Sequence, residues 1–327
     1  MIALIGGSGF IGTRLASRLH DQGTAFVIMD VEPSKKFHPN YIKLDVSKID
    51  DQYVPNHEIS TIVNLAAAHR DDIWPLSIYN DINVTGAENT CRMAERLGVN
   101  RIVFISSVAV YGFSKDSVDI NGAKKPFNEY GRTKLKAEEI YAEWYQKDPK
   151  TRSLIIIRPT AVFGESNRGN VYNLINQIHN RRFVMIGKGE NRKSLAYVEN
   201  VAAFIEHSLS SVSGMHFFNY VDTPDFRMVD LVRVVRSHFG MGDDIGFKLP
   251  YALGLAIGYC FDFLSFIARR NFNLSSVRVR KFCSDTVFQS NVEIVGFKRP
   301  VSMNEGLRRT LNFEFPDTNS VTDAAGD

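Results

Sequence analysis

A chain of 327 residues, 44% hydrophobic and 23% charged, is long enough to bury a sizeable core and excludes the disordered and collagen-like classes. Its 39 basic and 36 acidic residues leave a net charge of +3, too small to argue for a nucleic-acid partner unless a basic patch is local. Three scattered cysteines, Cys91, Cys260 and Cys283, make no CxxC and no metal spacing with the histidines, so neither a disulfide framework nor a metal site is expected and a reducing cytoplasm is the simpler setting.

The chain opens on MIALIGG, with no charged region before the apolar run and no cleavage site, so no signal peptide is expected. Ile2–Ile5 reads as a buried strand, followed by a glycine turn and a helix with Ile11, Leu15 and Leu19 on one face. Ala25–Met29, Tyr41–Leu44, Thr61–Leu65, Arg101–Ser106 and Ser153–Arg158 are further short apolar strands, with helices over Gly86–Leu97 and Glu129–Gln146. Strands alternating with helices at this spacing predict an α/β doubly wound parallel sheet covered on both faces. Beyond about Gly164 the rhythm loosens into helices at Tyr172–Asn180, Val198–Leu209 and Met228–Phe239. The expected division is residues 1–165 as a nucleotide-binding domain and 166–315 as a smaller, mostly helical substrate region, with a return of the chain to the sheet left open. The polar tail 316–327 reads as disordered. Trp74 and Trp144 read as packing residues.

GGSGFIG sets Gly6, Gly9 and Gly12 at a spacing that permits a tight turn, lets backbone approach a pyrophosphate, and packs the helix close to the strand. Phe10 and Ile11 belong to the same turn. Asp30 ends the second strand, where an acid accepts from adenosine ribose hydroxyls, and the VEPS that follows offers no arginine for a 2′-phosphate. NAD is therefore expected over NADP. Asp45 and Val46 are placed to contact adenine, and Leu65, Ala66 and Ala67 lie after the fourth strand, small enough for close approach. SSVAVYG at Ser106–Gly112 precedes YGRTK, in which Tyr130 and Lys134 stand one helical turn apart. Tyrosine's ordinary pKa of about 10 is too high for a base at neutral pH. A neighbouring ammonium and a nicotinamide's positive charge favour the tyrosinate, while a serine steadies the substrate oxygen. In a nucleotide-binding sheet the trio removes a proton from a carbinol as hydride leaves for the nicotinamide.

GGSGFIG, Asp30, SSVAVYG, YGRTK and RPTAVFG, in this order, resemble the extended short-chain dehydrogenase/reductase superfamily, that is, the nucleotide-sugar epimerases and dehydratases, over residues 2 to about 210. The resemblance implies a Rossmann-type sheet and makes Ser107, rather than Ser106, the catalytic serine. NLAAAHRDD, GNVYNLINQI, SLAYVENV, LPYALGLAIGYCFDFLS and SSVRVRKFC are similar to bacterial enzymes that epimerise C4 of N-acetylglucosamine on undecaprenyl diphosphate for O-antigen synthesis. That likeness implies a transient 4-keto sugar, a lipid-linked sugar diphosphate as substrate, and a homodimer built from helices 86–97 and 129–146. Alternatives within the superfamily are a soluble UDP-N-acetylglucosamine 4-epimerase and a 4-keto-sugar reductase consuming NAD(P)H. A catalytically silent NAD sensor is disfavoured, since it needs no proton-transfer trio.

Lys193 in GENRKSLAYV stands where UDP-sugar relatives carry an arginine near the substrate phosphates, with Arg192 beside it. Asn170 reads either as a contact to the sugar diphosphate or as a helix N-cap. His69, with Arg70–Asp72, reads either as a sugar contact or as part of a loop salt-bridge network. Leu249–Ala268 is apolar almost all round, with Asp262 its one formal charge. It is long enough to cross a bilayer, yet two glycines, Asp262, Tyr251, Tyr259 and Ser265 make a poor span. A buried helix is one reading. An interfacial helix beside Arg269, Arg270, Arg278, Arg280 and Lys281 is the other, these cations suiting either anionic lipid or a diphosphate, and with the resemblance it is preferred: a cytoplasmic protein resting on the inner face of the membrane.

Overall fold

The computed structural model describes residues 1–49, 58–70, 73–112, 117–268 and 275–316. Asp71, Asp72, Arg269, Arg270 and the tail beyond Pro316 lie outside the described residues.

In chain order the first half runs β1 (Ile2–Ile5), α1 (Phe10–Asp21), β2 (Phe26–Asp30), β3 (Tyr41–Lys43), β4 (Thr61–Asn64), α2 (Ser77–Tyr79), α3 (Gly86–Leu97), β5 (Arg101–Ile105), α4 (Glu129–Gln146) and β6 (Ser153–Pro159). A wider helical turn, Asn80–Thr85, joins α2 to α3. The second half runs β7 (Ala161–Phe163), α5 (Asn170–His179), β8 (Met185–Ile186), β9 (Arg192–Tyr197), α6 (Val198–Ser211), β10 (Met215–Tyr220), β11 (Asp222–Arg227), α7 (Met228–His238), β12 (Lys248–Leu249), α8 (Tyr251–Ala268), α9 (Ser276–Cys283) and α10 (Met303–Glu314).

Seven strands pair in parallel in the order β10-β6-β5-β4-β1-β2-β3. Successive strand residues face opposite sides, so these uniformly apolar strands need cover on both. Leu4, Ile28 and Val63 meet Leu15 and Leu19 of α1 and Val201 and Phe204 of α6. Ala3, Ile5, Val27 and Ile62 meet Ala87 and Cys91 of α3 and Tyr141 and Trp144 of α4. The doubly wound sheet expected from the sequence is therefore present, with strand ends shifted by a residue. The strand order reverses between β1 and β4, which opens a crevice at their carboxyl ends, the place where such sheets bind ligands. The seventh strand, β10, comes from the second half of the chain and pairs with β6 along six residues, Met215 to Tyr220.

A smaller layer follows from β7, β9 and β11, with the pair β8–β12 beside it. Its core gathers Phe163, Ile175, Tyr197, Val232 and Leu307. Helix α8 lies against α9 through its glycine side: a Cβ on Gly258 would sit 2.8 Å from the Ser276 backbone. Both carboxylate oxygens of Asp262 accept from the Ser276 amide, at 3.3 and 3.2 Å, which caps the start of α9. The opposite side of α8 exposes Leu253, Tyr259, Phe263 and Leu264, Phe263 to 65%, so the buried-helix reading of this stretch does not hold. Among the described residues no helix is long and apolar enough to cross a membrane. Trp144 is buried as expected, but Trp74 is 80% exposed in the connection between β4 and α2, and is no packing residue.

Candidate active site

At the carboxyl ends of β1, β4, β5 and β6 lies a cleft of about 720 Å³. Gly6, Gly9, Phe10, Ile11, Gly12, Asp30, Asp45, Val46, Leu65, Ala66 and Ala67 all line it, as do Ser107, Tyr130 and Lys134. Gly6 has φ of 73°, and a Cβ there would sit 2.6 Å from the Ala66 amide nitrogen. Only glycine brings the first turn this close to the end of β4. Helix α1 begins after Gly9 with no side-chain cap, leaving the amides of its first turn for an anion. Asp30 accepts from the Ser8 amide at 3.0 Å and the Glu32 amide at 3.2 Å, which fixes its carboxylate at the rim with lone pairs to spare. The Asp45 carboxylate is occupied by Ser47, accepting from its amide at 3.0 Å and its hydroxyl at 2.6 Å.

Two asparagines that the sequence reading passed over hold the floor. Asn64 accepts from the Ala66 amide at 2.9 Å and donates to the Tyr141 hydroxyl at 2.7 Å. Asn83 accepts from the Ala68 amide at 2.9 Å and donates to the Ala68 carbonyl at 3.1 Å and the Thr133 hydroxyl at 2.9 Å. Thr133 lies between Tyr130 and Lys134, so Asn83 ties α4 to the segment that follows β4.

The neighbouring serines divide their work. Ser106 is buried and donates to Glu138 at 2.6 Å; Glu138 is clamped by Arg158 at 2.8 and 2.7 Å. Ser107 starts a helical turn, accepting from the Ala109 amide at 3.1 Å, and lines the cleft together with Tyr130. Asn128 caps α4 through the Gly131 amide at 2.9 Å, which sets Tyr130 in the first turn. Lys134 is buried, donates to the Ile105 carbonyl at 2.7 Å and lies 4.5 Å from the Phe104 ring centre.

Burial pushes the Tyr130 phenol above its ordinary value, and the neighbouring Ser107 hydroxyl opposes that shift. Burial also pulls Lys134 down to about 7, opposed by the negative charge of Glu138 one turn on. Desolvation acts on both groups in the direction that keeps each neutral.

His69 and Asn170 line the cleft, whereas Arg192 and Lys193 are not among its lining residues. Asn170 is the first residue of α5 and Gly169 is the N-cap, so the N-cap reading of Asn170 does not hold. The His69 ring contacts the Ala67 carbonyl at 3.3 Å. The Lys193 ammonium, placed by the sequence reading near substrate phosphates, is instead turned onto the end of α9. It donates to the Lys281 carbonyl at 2.9 Å, the Ser284 carbonyl at 2.6 Å and the Thr286 hydroxyl at 3.1 Å. Arg192 is exposed, and its amide donates to Asp285 at 2.6 Å. The far wall of the cleft is Lys281, from the SSVRVRKFC stretch, and Asp285–Phe288, which no motif marks. Thr160 also lines the cleft, and its buried hydroxyl has no partner among the described residues.

An uncapped helix start beneath a close glycine turn, an acid at the ribose position and an unpartnered hydroxyl at the catalytic end are the donor and acceptor set a dinucleotide needs. Together with the Ser107–Tyr130–Lys134 set in the same cleft they fit a nucleotide-dependent enzyme. The chain belongs to the NAD dependent epimerase/dehydratase family, whose profile matches residues 2–219, and its cofactor is NAD. It is 45% identical over 320 residues to the N-acetyl-alpha-D-glucosaminyl-diphospho-ditrans,octacis-undecaprenol 4-epimerase of Escherichia coli O157:H7, covering 96% of this chain and 95% of that one. It is 26% identical to a decarboxylating sterol-4-alpha-carboxylate 3-dehydrogenase of Candida albicans, over 95% and 97% of the two chains. Its fold matches that of MoeE5, solved in complex with UDP-glucuronic acid and NAD, with a TM-score of 0.74, 19% identity, and coverage of 96% and 98%.

Proposed function

We propose that the chain epimerises C4 of N-acetylglucosamine carried on undecaprenyl diphosphate, giving the N-acetylgalactosamine form used in surface-polysaccharide synthesis, and that it works at the inner face of the bacterial membrane. The likeness that carries this reading is the 45% identity, spanning both chains almost end to end, to an enzyme named for that reaction. The exposed apolar side of α8 supports the lipid-linked alternative over a free nucleotide sugar. Lys281 of the adjoining α9 lines the cleft, so the apolar face and the mouth of the site are neighbours.

In this reading Tyr130 accepts the proton of the C4 hydroxyl, Ser107 holds that oxygen, and Lys134 takes up charge as the phenol loses its own. Bound NAD supplies the hydride acceptor and donor. Tyr130 then returns the proton once the opposite face of the keto sugar is presented. Because nothing is consumed, the cofactor stays with the protein between turnovers. Two chains pairing through α3 and α4 belong to the same reading, with sedimentation of the purified protein as the check.

The deciding experiment offers the purified protein UDP-N-acetylglucosamine and N-acetylglucosaminyl-diphospho-undecaprenol side by side without reductant, with sugar identification after hydrolysis. Conversion of the lipid-linked sugar alone is the expected result. Conversion of the UDP-sugar alone would replace the reading with a soluble nucleotide-sugar epimerase, and conversion of neither without NADH would replace it with a reductase.

A further inference from the structure

Helix α9 ends at Cys283, and the carbonyls of a last helical turn have no partner within the helix. Here they are met from outside by β9 and the residue before it. Asn191 donates to the Phe282 carbonyl at 2.8 Å. The Lys193 ammonium meets the Lys281 and Ser284 carbonyls and the Thr286 hydroxyl. An ammonium has three donors, and all three are matched. Its charge sits at the negative end of the helix dipole. Main-chain bonds extend the join: the Ser194 amide to the Thr286 carbonyl at 2.8 Å and the Thr286 amide to the Arg192 carbonyl at 2.9 Å.

What this junction carries is the far wall of the cleft. Lys281, in the last turn of α9, lines the cleft with its ammonium 5.5 Å from the Phe127 ring centre, and Asp285, Thr286, Val287 and Phe288 continue the lining. Lys193 itself does not line it. We propose that Lys193 is a positioning residue: it fastens the end of α9 to β9, and so sets where Lys281 and the 285–288 wall stand against the diphosphate of the substrate. The proposal rests on the reading above that a sugar diphosphate occupies the cleft. The cation delivered to the cleft by this arrangement is Lys281, while Lys193 acts through it. Burial holds the Lys193 ammonium near 8, with the Asp285 charge and the Cys283 thiol opposing that shift and Lys281 adding to it. Its grip therefore depends on a proton that alkaline conditions remove.

The test replaces Lys193 with Met, which keeps the stem and removes every donor, in the full-length protein with its bound cofactor. Two readouts are taken. Amide exchange over residues 281–288 is followed by mass spectrometry, and kinetics are measured on whichever sugar diphosphate the parent chain converts. The expected result is faster exchange confined to that stretch and a KM raised about tenfold, the scale of one lost charged hydrogen bond. Turnover is expected to stay within about threefold and bound NAD unchanged, because neither depends on the junction. Lys193→Arg keeps a cation and is expected to fall between the two; it stands in where the Met form does not accumulate. Unchanged exchange over 281–288 overturns the proposal. So does faster exchange with an unchanged KM, or a fall in kcat at constant KM. If the parent chain converts no sugar diphosphate, the functional reading fails by itself, and the exchange result alone decides whether Lys193 holds the wall.

Discussion

The two walls of the cleft are built by opposite means. The cofactor wall is local: Gly6 to Gly12 span one turn and the start of α1, Asp30 ends β2, and Leu65 and Ala66 follow β4, both strands pairing in parallel with β1. The substrate wall is remote. It takes Asn170 from the start of α5, and Lys281 with Asp285–Phe288 from a stretch whose position depends on side chains of Asn191 and Lys193. A wall made from strand ends inherits the rigidity of the sheet and a spacing that chain order dictates. A wall hung on a helix end can be re-aimed by changing a few residues, which is how one sheet serves many substrates.

That contrast can be broken at several points. The deepest cut lies between the walls. Tyr130→Phe is expected to lower kcat about 10³-fold, the usual scale for removing a positioned proton acceptor, while NAD remains bound; near-normal turnover would remove Tyr130 from the chemistry. On the cofactor wall, Asp30→Ala is expected to weaken NAD retention on the order of 10-fold or more through the lost hydrogen bonds to a charged acceptor, read by cofactor content after gel filtration, with no change in substrate KM. A change in KM alone would contradict the division of the cleft. On the outer side of the substrate wall, Phe263→Glu is expected to reduce binding to phosphatidylglycerol vesicles roughly several-fold, leaving activity on a short-chain, water-soluble substrate analogue unaltered. Equal vesicle binding by both forms would separate α8 from the membrane.

A smaller effect concerns stability. Burial lowers Lys134 from its ordinary 10.5 to about 7, so between those values the unfolded chain binds a proton that the folded chain does not. Stability from this group therefore rises with pH through that window and is lost as the pH falls toward 7. In cofactor-free protein, Lys134→Met is expected to melt above the parent chain near pH 6, with the gap closing as the pH approaches 10. A gap independent of pH would show that Lys134 keeps its ordinary pKa in the folded chain.

The cofactor wall was legible because its chemistry demands residue types that also write their own local structure. Gly6 needs positive φ, and Tyr130 and Lys134 need only one helical turn to share a face. The sheet was legible for the same reason, since doubly buried strands leave uninterrupted apolar runs. Lys193 was misplaced because a cation near a cleft reads the same whether it faces ligand or helix end; only the tertiary arrangement brings three acceptors around it. Lys281 belongs to a cation cluster that the sequence marks for lipid or diphosphate, whereas nothing near Thr286 signals a cleft. Asn64 and Asn83 were invisible because a buried amide bridging two backbone segments has no sequence period. Trp74 misled because size and apolarity normally mean burial, and loops are where that rule is weakest. Asp262, which argued against a membrane span, proved to be a helix cap.

The seventh strand has a consequence for how the protein is made. Strand β6 is completed on its outer side only by Met215–Tyr220, and α6 covers one face of the sheet with Val201 and Phe204. A growing chain that has emerged only as far as residue 165 therefore carries every motif needed for the dinucleotide, yet has an open strand edge and a bare apolar face. Synthesis must run some fifty residues further before either is closed. A segment remote in sequence from the cofactor motifs is the one that closes the sheet edge and covers its face.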